Sequence, residues 1–228
     1  MQALKTIERT PPDSSWVSKL TNVDRETASK FIFEGSSESR LESHLLKILP
    51  TGGRANYIQI AAPIELYAIT RILKPRHVVE IGVSAGVSSA YFLRALARNG
   101  KGTLHSVDFP EKQINPEAKA SWAVPAGKST GWAVPKSLRS NWDLRLGMSG
   151  DVLPLLIKVL PSVKIFLYDV PYTFKSAISD YKIVDQKLRS RSVVMADNAL
   201  EPIRWWARQH RRPVYRRKGL GLRGFSLP

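Results

Sequence analysis

Glu80, Gly82, Ser84 and Gly86 sit together at the end of the apolar run His77-Val78-Val79-Glu80-Ile81, and Asp108 follows 22 residues after Gly86. Small residues at such a turn let a backbone approach a ligand and start a helix tightly. A carboxylate at the end of the next strand can accept both hydroxyls of a ribose. The spacing is Glu-x-Gly-x-x-x-Gly, not the G-x-G-x-x-G of dinucleotide sites. The carboxylate of Glu80 suits a ligand that is cationic at sulfur and nitrogen, so the residues favour S-adenosylmethionine (SAM) over a nucleotide phosphate. The competing account is an ordinary strand-to-helix turn of an α/β protein, because short glycine motifs also arise by chance.

Those residues need a framework. The β-branched run at 77–81 suits a buried strand. Residues 87–98 have helical character, with Val87, Tyr91, Leu93, Leu96 and Ala97 inward and Asn99-Gly100 as the stop. Further strands are expected at 103–107, 143–146, 164–168 and 192–196, with helices at 151–160, 173–188 and 201–209. Residues 214–217 and 220–226 read as a closing hairpin across Gly219. The implied fold is α/β: a doubly wound, mostly parallel, seven-stranded Rossmann-like sheet with an antiparallel terminal hairpin. Such sheets bind ligands at the carboxyl ends of their strands. There the sequence sets Glu80, Asp108, Ser149, Asp169 and Asp197-Asn198.

Ahead of this domain, assigned to residues 56–228, residues 1–55 are expected to form an arm and helical extension. Residues 1–23 read as a loose arm, and helices are expected at 24–33, 39–49 and 58–73. The stretch 109–140 reads as a long loop holding Trp122 and Trp132, either a substrate wall or an anchored connection.

The chain has 228 residues, 43% of them hydrophobic, and no cysteine. That allows one core and excludes disulfides and thiolate metal sites. No apolar run is long enough to insert in a membrane and the first residues lack a signal core, so a cytoplasmic protein is expected. Net charge is +16. Arg204, Arg208, Arg211, Arg212, Arg216, Arg217, Lys218 and Arg223 follow one another with no acid after Glu201. That run is either a solvated basic face or a nucleic-acid contact.

The segments EIGVSAGVSS, HSVD, LGMSGDVLP, LYD and VMADN, in that order, resemble class I SAM-dependent methyltransferases. The likeness is greatest to small O-methyltransferases of the catechol O-methyltransferase type and a related group of bacterial and archaeal enzymes. The resemblance implies that Glu80, Gly82, Ser84 and Gly86 line the methionine part of SAM, with Ser88 a further cofactor contact. It implies that Asp108 binds the ribose and that Met148 and Ser149 border the adenine. Asp169 would sit beside the amino-acid moiety and, with Asp197 and Asn198, hold Mg²⁺. Oxygen-only ligands suit such a hard cation. The acceptor implied is a small-molecule hydroxyl, and a homodimer is left open.

Two positions depart from the pattern, and at one of them the usual glycine pair before the fifth strand is Arg191-Ser192. Three residues after Asp169, where relatives carry lysine or histidine, this chain has Tyr172, which with Asp169 is the candidate catalytic pair. Tyrosine is a poor base at its ordinary pKa. Asp169-Val170-Pro171-Tyr172 also partly resembles the D-P-P-Y motif of methyltransferases that act on amines of nucleic-acid bases, where an aromatic ring stacks on a flipped base. Together with the basic run it makes RNA methylation the alternative function, and SAM binding without catalysis a third.

Overall fold

The computed structural model describes residues 11–49, 62–109, 124, 127–171, 173–197 and 199–228. Helices α1 (Ser14–Thr21), α2 (Arg25–Ser36), α3 (Ser39–Ile48) and α4 (Pro63–Leu73) precede the first strand. Then β1 (His77–Ile81), α5 (Val87–Asn99) and β2 (Thr103–Asp108) follow, and a 3₁₀ turn at Lys136–Asn141 leads to β3 (Trp142–Leu146). The remainder is α6 (Ser149–Val159), β4 (Val163–Tyr168), α7 (Phe174–Asp185), β5 (Leu188–Ala196), α8 (Leu200–Gln209), β6 (Tyr215–Arg216) and β7 (Arg223–Ser226).

The strands form one sheet in the order β3-β2-β1-β4-β5-β7-β6. The first five are parallel and β7 is antiparallel to both its neighbours. The expected doubly wound sheet with a closing antiparallel hairpin is therefore present. The order reverses between β1 and β4, which opens the ligand crevice of this architecture beside the ends of those two strands.

Both faces of the central strands are buried, which is why their sequences are continuous apolar runs. Ile165, Leu167, Val193 and Met195 face one cluster with Leu66, Tyr67 and Phe92 of α4 and α5. Phe166, Tyr168, Val194 and Ala196 face the other, with Tyr181 of α7 and Trp206 of α8. The two helical faces thus alternate with the strand period of two.

The loose arm expected at 1–23 is corrected over its described part. Asp13 caps α1, its carboxylate accepting from the Trp16 amide at 3.0 Å. Trp16, Val17 and Leu20 are buried in the same cluster as α4 and α5. The signal was there, an Asp cap followed by apolar residues at helical spacing, but Pro11-Pro12 hid it. Among the described residues no helix is long and apolar enough to cross a membrane.

The basic run is also corrected at one member. Arg217 is fully buried: its Nε donates to Glu65 Oε1 at 2.6 Å, Nη2 to the Pro11 carbonyl at 2.7 Å and Nη1 to the Lys218 carbonyl at 2.5 Å. It belongs to an internal ion pair joining the hairpin to α4, not to a solvated face. Arg204, Arg208, Arg211, Arg216 and Lys218 are exposed.

Candidate active site

At the end of β1 the chain turns sharply. Gly82 and Gly86 both have left-handed φ, at 95° and 87°. The Cβ position of Gly82 lies 1.9 Å from the Asp169 carbonyl oxygen, so only glycine lets this turn lie against the end of β4. Ser84 also has positive φ, at 48°. The turn is tied to the stretch Gly131–Val134 ahead of β3. The Gly131 amide donates to the Ser84 carbonyl at 2.8 Å and the Ala133 amide to the Ala85 carbonyl at 2.9 Å. Arg139 in turn donates to the Gly131 and Val134 carbonyls, and a ring nitrogen of His44 on α3 lies 3.2 Å from that of Ala133.

Behind the turn, Glu80 is fully buried. Three hydroxyls donate to its carboxylate: Ser88 at 2.5 Å, Ser89 at 2.6 Å and Ser106 at 2.7 Å. Trp142 Nε1 donates to Ser106 at 2.9 Å, which extends the network to β3. Glu80 and Ser88 thus spend their hydrogen bonds on each other and on the start of α5. Glu80 acts as a brace for the turn. Ser89, Ser106 and Trp142 were not anticipated; nothing in their spacing marks them, because they meet only across strands.

Burial pushes the Glu80 carboxyl up to about 7, the serine hydroxyls pulling it down and Asp108 adding to the rise. The folded value therefore exceeds the unfolded one of 4.5. The folded state holds the extra proton, so this contribution to stability is full below 4.5 and is lost as pH rises through about 7. Between those limits stability should fall by up to ~1.4 kcal/mol per pH unit from this group. Glu80→Gln should flatten that slope, as read from urea unfolding at pH 5 and pH 7. An unchanged slope would remove Glu80 as its source.

Asp108 ends β2 beside the same turn. The Ser84 amide donates to its Oδ2 at 3.3 Å. Burial raises its pKa, partly offset by the amides of Ser84, Val83 and Phe109. Asp169 follows β4, with its amide bonded to the Ile81 carbonyl at 2.8 Å, and Asp197 follows β5, with its amide bonded to the Tyr168 carbonyl at 3.0 Å. Asp169 is held well above the usual carboxylate range by burial, then by the neighbouring charges of Asp197 and Glu80. Four carboxylates are therefore gathered along adjacent strand ends, an environment that favours a cationic ligand.

Ser149 starts α6 and donates its hydroxyl to Asp180 on α7 at 2.8 Å, so that hydroxyl is used in helix packing. Met148, just before it, is exposed at the end of β3. Tyr172 and Asn198 lie outside the described residues, as does Trp122 of the long loop. Trp132 packs on the core. Among the described residues, no group of three or more His, Asp or Glu side chains is placed to hold a metal ion.

A doubly wound sheet with a glycine turn at its switch point and acids along its rim has the ligand crevice of the open α/β architecture. A family model for a methyltransferase domain matches residues 79–199, more than half of the chain, and the chain belongs to that family. The structure is also similar to the SAH-bound methyltransferase PaMTH1 of Podospora anserina, with a TM-score of 0.55 and 12% identity over 89% of this chain and 95% of that one. It is similar to the O-methyltransferase from Bacillus cereus in complex with SAH (TM-score 0.54, 15% identity, 94% and 96% covered). A third similar structure is the O-methyltransferase TomG from Streptomyces achromogenes in complex with SAM (0.53, 16%, 88% and 96%). No curated protein matches the chain by sequence.

Proposed function

We propose that the protein transfers a methyl group from SAM to a hydroxyl of a small molecule. The observation that carries this reading is the row of Asp108, Asp169 and Asp197 at successive strand ends around the Gly82–Gly86 turn, with Glu80 buried behind it. In this reading Asp108 accepts the ribose hydroxyls, and the peptides of Gly82 to Gly86 lie along the methionine part. Asp169 faces the ammonium and sulfonium charges. Those charges favour the ionised form of Asp169, which can then accept the proton that the hydroxyl loses as its oxygen attacks the methyl carbon. The sulfur leaves with the electron pair of the broken bond, and most of the rate comes from holding oxygen, carbon and sulfur in line. Oxygen as the acceptor atom is supported by the similar O-methyltransferases of Bacillus cereus and Streptomyces achromogenes.

Asp108→Ala should weaken SAM binding roughly ten- to a hundredfold, because it leaves the ribose hydroxyls unpaired at about 1–3 kcal/mol. Calorimetry with SAM measures this, and wild-type affinity in the variant would defeat the assignment. Transfer itself is read by mass spectrometry after incubation with isotope-labelled SAM and panels of phenols, sugars and RNA. Label on RNA alone would favour the base-amine alternative.

A finer form of the proposal adds magnesium, which the oxygen donors Asp169 and Asp197, with Asn198, would hold together with water and substrate. When bound, the ion would stabilise the deprotonated substrate oxygen. What supports it is the crowding of two carboxylates on neighbouring strands, each a hard-cation donor. The same transfer assay run in chelator decides it, since unchanged transfer would remove the metal.

A further inference from the structure

We propose that Thr130 is part of the ribose site: its hydroxyl bonds a ribose hydroxyl that also donates to Asp108, so the segment ahead of β3 supplies a second wall of that site. This deepens the methyl-transfer reading and rests on it for the identity of the ligand.

Thr130 is 4% exposed, and its Oγ1 is buried with no hydrogen-bond partner among the described residues. Buried hydroxyls are nearly always bonded, so one without a partner marks a place where something else binds. The chain around Thr130 shows what that place is. The Ser84 amide donates to Asp108 Oδ2 at 3.3 Å, and the Ser84 carbonyl accepts from the Gly131 amide at 2.8 Å. Thr130 is thus tied, through its neighbour, to the residue that holds Asp108. Burial raises the Asp108 pKa, and after the amides of Ser84, Val83 and Phe109 the Thr130 hydroxyl also offsets that rise. The hydroxyl therefore lies beside the carboxylate without reaching hydrogen-bonding geometry. A ribose hydroxyl that donates to Asp108 can accept from Thr130, which satisfies both buried groups.

The segment that carries Thr130 is fixed on the turn. The Ala133 amide donates to the Ala85 carbonyl at 2.9 Å. Arg139 donates from Nη2 to the Gly131 carbonyl and from Nε to the Val134 carbonyl, both at 3.1 Å. The Cβ position of Gly131, at a φ of 69°, lies 2.0 Å from the Trp142 ring, and that of Gly86 lies 2.7 Å from Val134 Cγ2 and 2.9 Å from Gly131 Cα. Glycine at both positions is what lets turn, segment and indole lie this close. A wall held in this way loses little freedom when a ligand arrives. A site built to bond hydroxyls also rejects analogues that lack them, because its own buried groups are then left unpaired.

Calorimetry on the full chain tests this, with SAH and its 2′-deoxy and 3′-deoxy forms as probes. Thr130→Val keeps the shape of the side chain and removes the hydroxyl. It should weaken SAH about tenfold, while Thr130→Ser, which keeps a hydroxyl, should bind SAH within about twofold of wild type. With one of the two deoxy probes Thr130→Val should bind as wild type does, and that probe names the hydroxyl that Thr130 holds. The unliganded Thr130→Val chain should melt no lower than wild type, because it loses a buried hydroxyl that has no partner. A merely structural threonine would instead lower the melting temperature and weaken all three probes alike. The proposal is overturned if Thr130→Val binds SAH as wild type does, if it weakens all three probes equally, or if Thr130→Ser loses as much as Thr130→Val. Asp108→Ala separates this from the reading beneath it. Loss of SAH in Asp108→Ala with none in Thr130→Val removes Thr130 alone, whereas full affinity in Asp108→Ala, or no SAH binding to the wild type, removes the methyl-transfer reading as well.

Discussion

Gly82→Ala should abolish measurable SAM binding and destabilise the fold by ~3 kcal/mol or more. The added methyl would stand 1.9 Å from the Asp169 carbonyl oxygen and 2.7 Å from its carbon, and the residue would have to keep a φ of 95°. Both neighbours of that methyl are constrained. The Asp169 amide is bonded to the Ile81 carbonyl and the Gly82 amide to the Val107 carbonyl, so moving the turn breaks links to β4 and β2 together. It also shifts Asp169 relative to Glu80 and Asp197. Gly100→Ala is the control. That glycine also has positive φ, at 66°, but its Cβ would meet nothing within 4 Å. It should cost only about 1 kcal/mol and leave SAM binding intact. Urea unfolding and calorimetry on the two variants separate crowding from backbone strain. Equal losses in both would show that the close approach to β4 is not what matters at position 82.

Arg217→Met should cost about 3–5 kcal/mol of stability. The guanidinium is buried and, among the described residues, donates to oxygens of Glu65, Pro11 and Lys218. Without it the Glu65 carboxylate stays in the core with only the Asp13 amide, at 2.9 Å, among its described hydrogen-bond donors. A buried charge without its counter-charge is costlier than no charge at all. The double variant Glu65→Leu/Arg217→Met should therefore recover part of the loss, because an apolar pair of similar volume often replaces a buried ion pair at little cost. Chemical denaturation of the two single variants and the double gives the coupling directly. A loss under ~1 kcal/mol in Arg217→Met would mean that water reaches this pair.

The sequence made the rim readable because strand ends and turns have local signatures. β-branched runs that stop at Gly or Asp place Glu80, Asp108, Asp169 and Asp197 without knowledge of the tertiary fold. The mostly parallel, doubly wound sheet follows from alternation of strands and helices, while the strand order itself came from the structure. What stayed hidden depends on contacts far apart in the chain. Ser89 and Ser106 look like any helix or strand serine until β1 and β2 bring both to Glu80. Ser149 reads in the sequence as a strand-end serine, and its hydrogen bond to Asp180 on α7 appears only once α6 and α7 pack together. Arg217 looked like one more surface arginine in a basic run, because charge in a sequence carries no record of whether the residue after a short strand turns into the core. The helix at Ser14–Thr21 was missed for a local reason: two prolines just before it outweighed a clear Asp cap.

The lock between Glu65, Arg217, Trp16 and Tyr215 bears on how the molecule is made. The indole of Trp16 donates to the Tyr215 carbonyl across a separation of 199 residues, and Arg217 reaches the Pro11 carbonyl across 206. On the ribosome, α1 therefore emerges long before the segment that covers it. A buried tryptophan and two valine- and leucine-bearing turns must wait exposed while the whole sheet is synthesised, so the nascent chain has greasy surface for chaperones to hold until its last strands arrive.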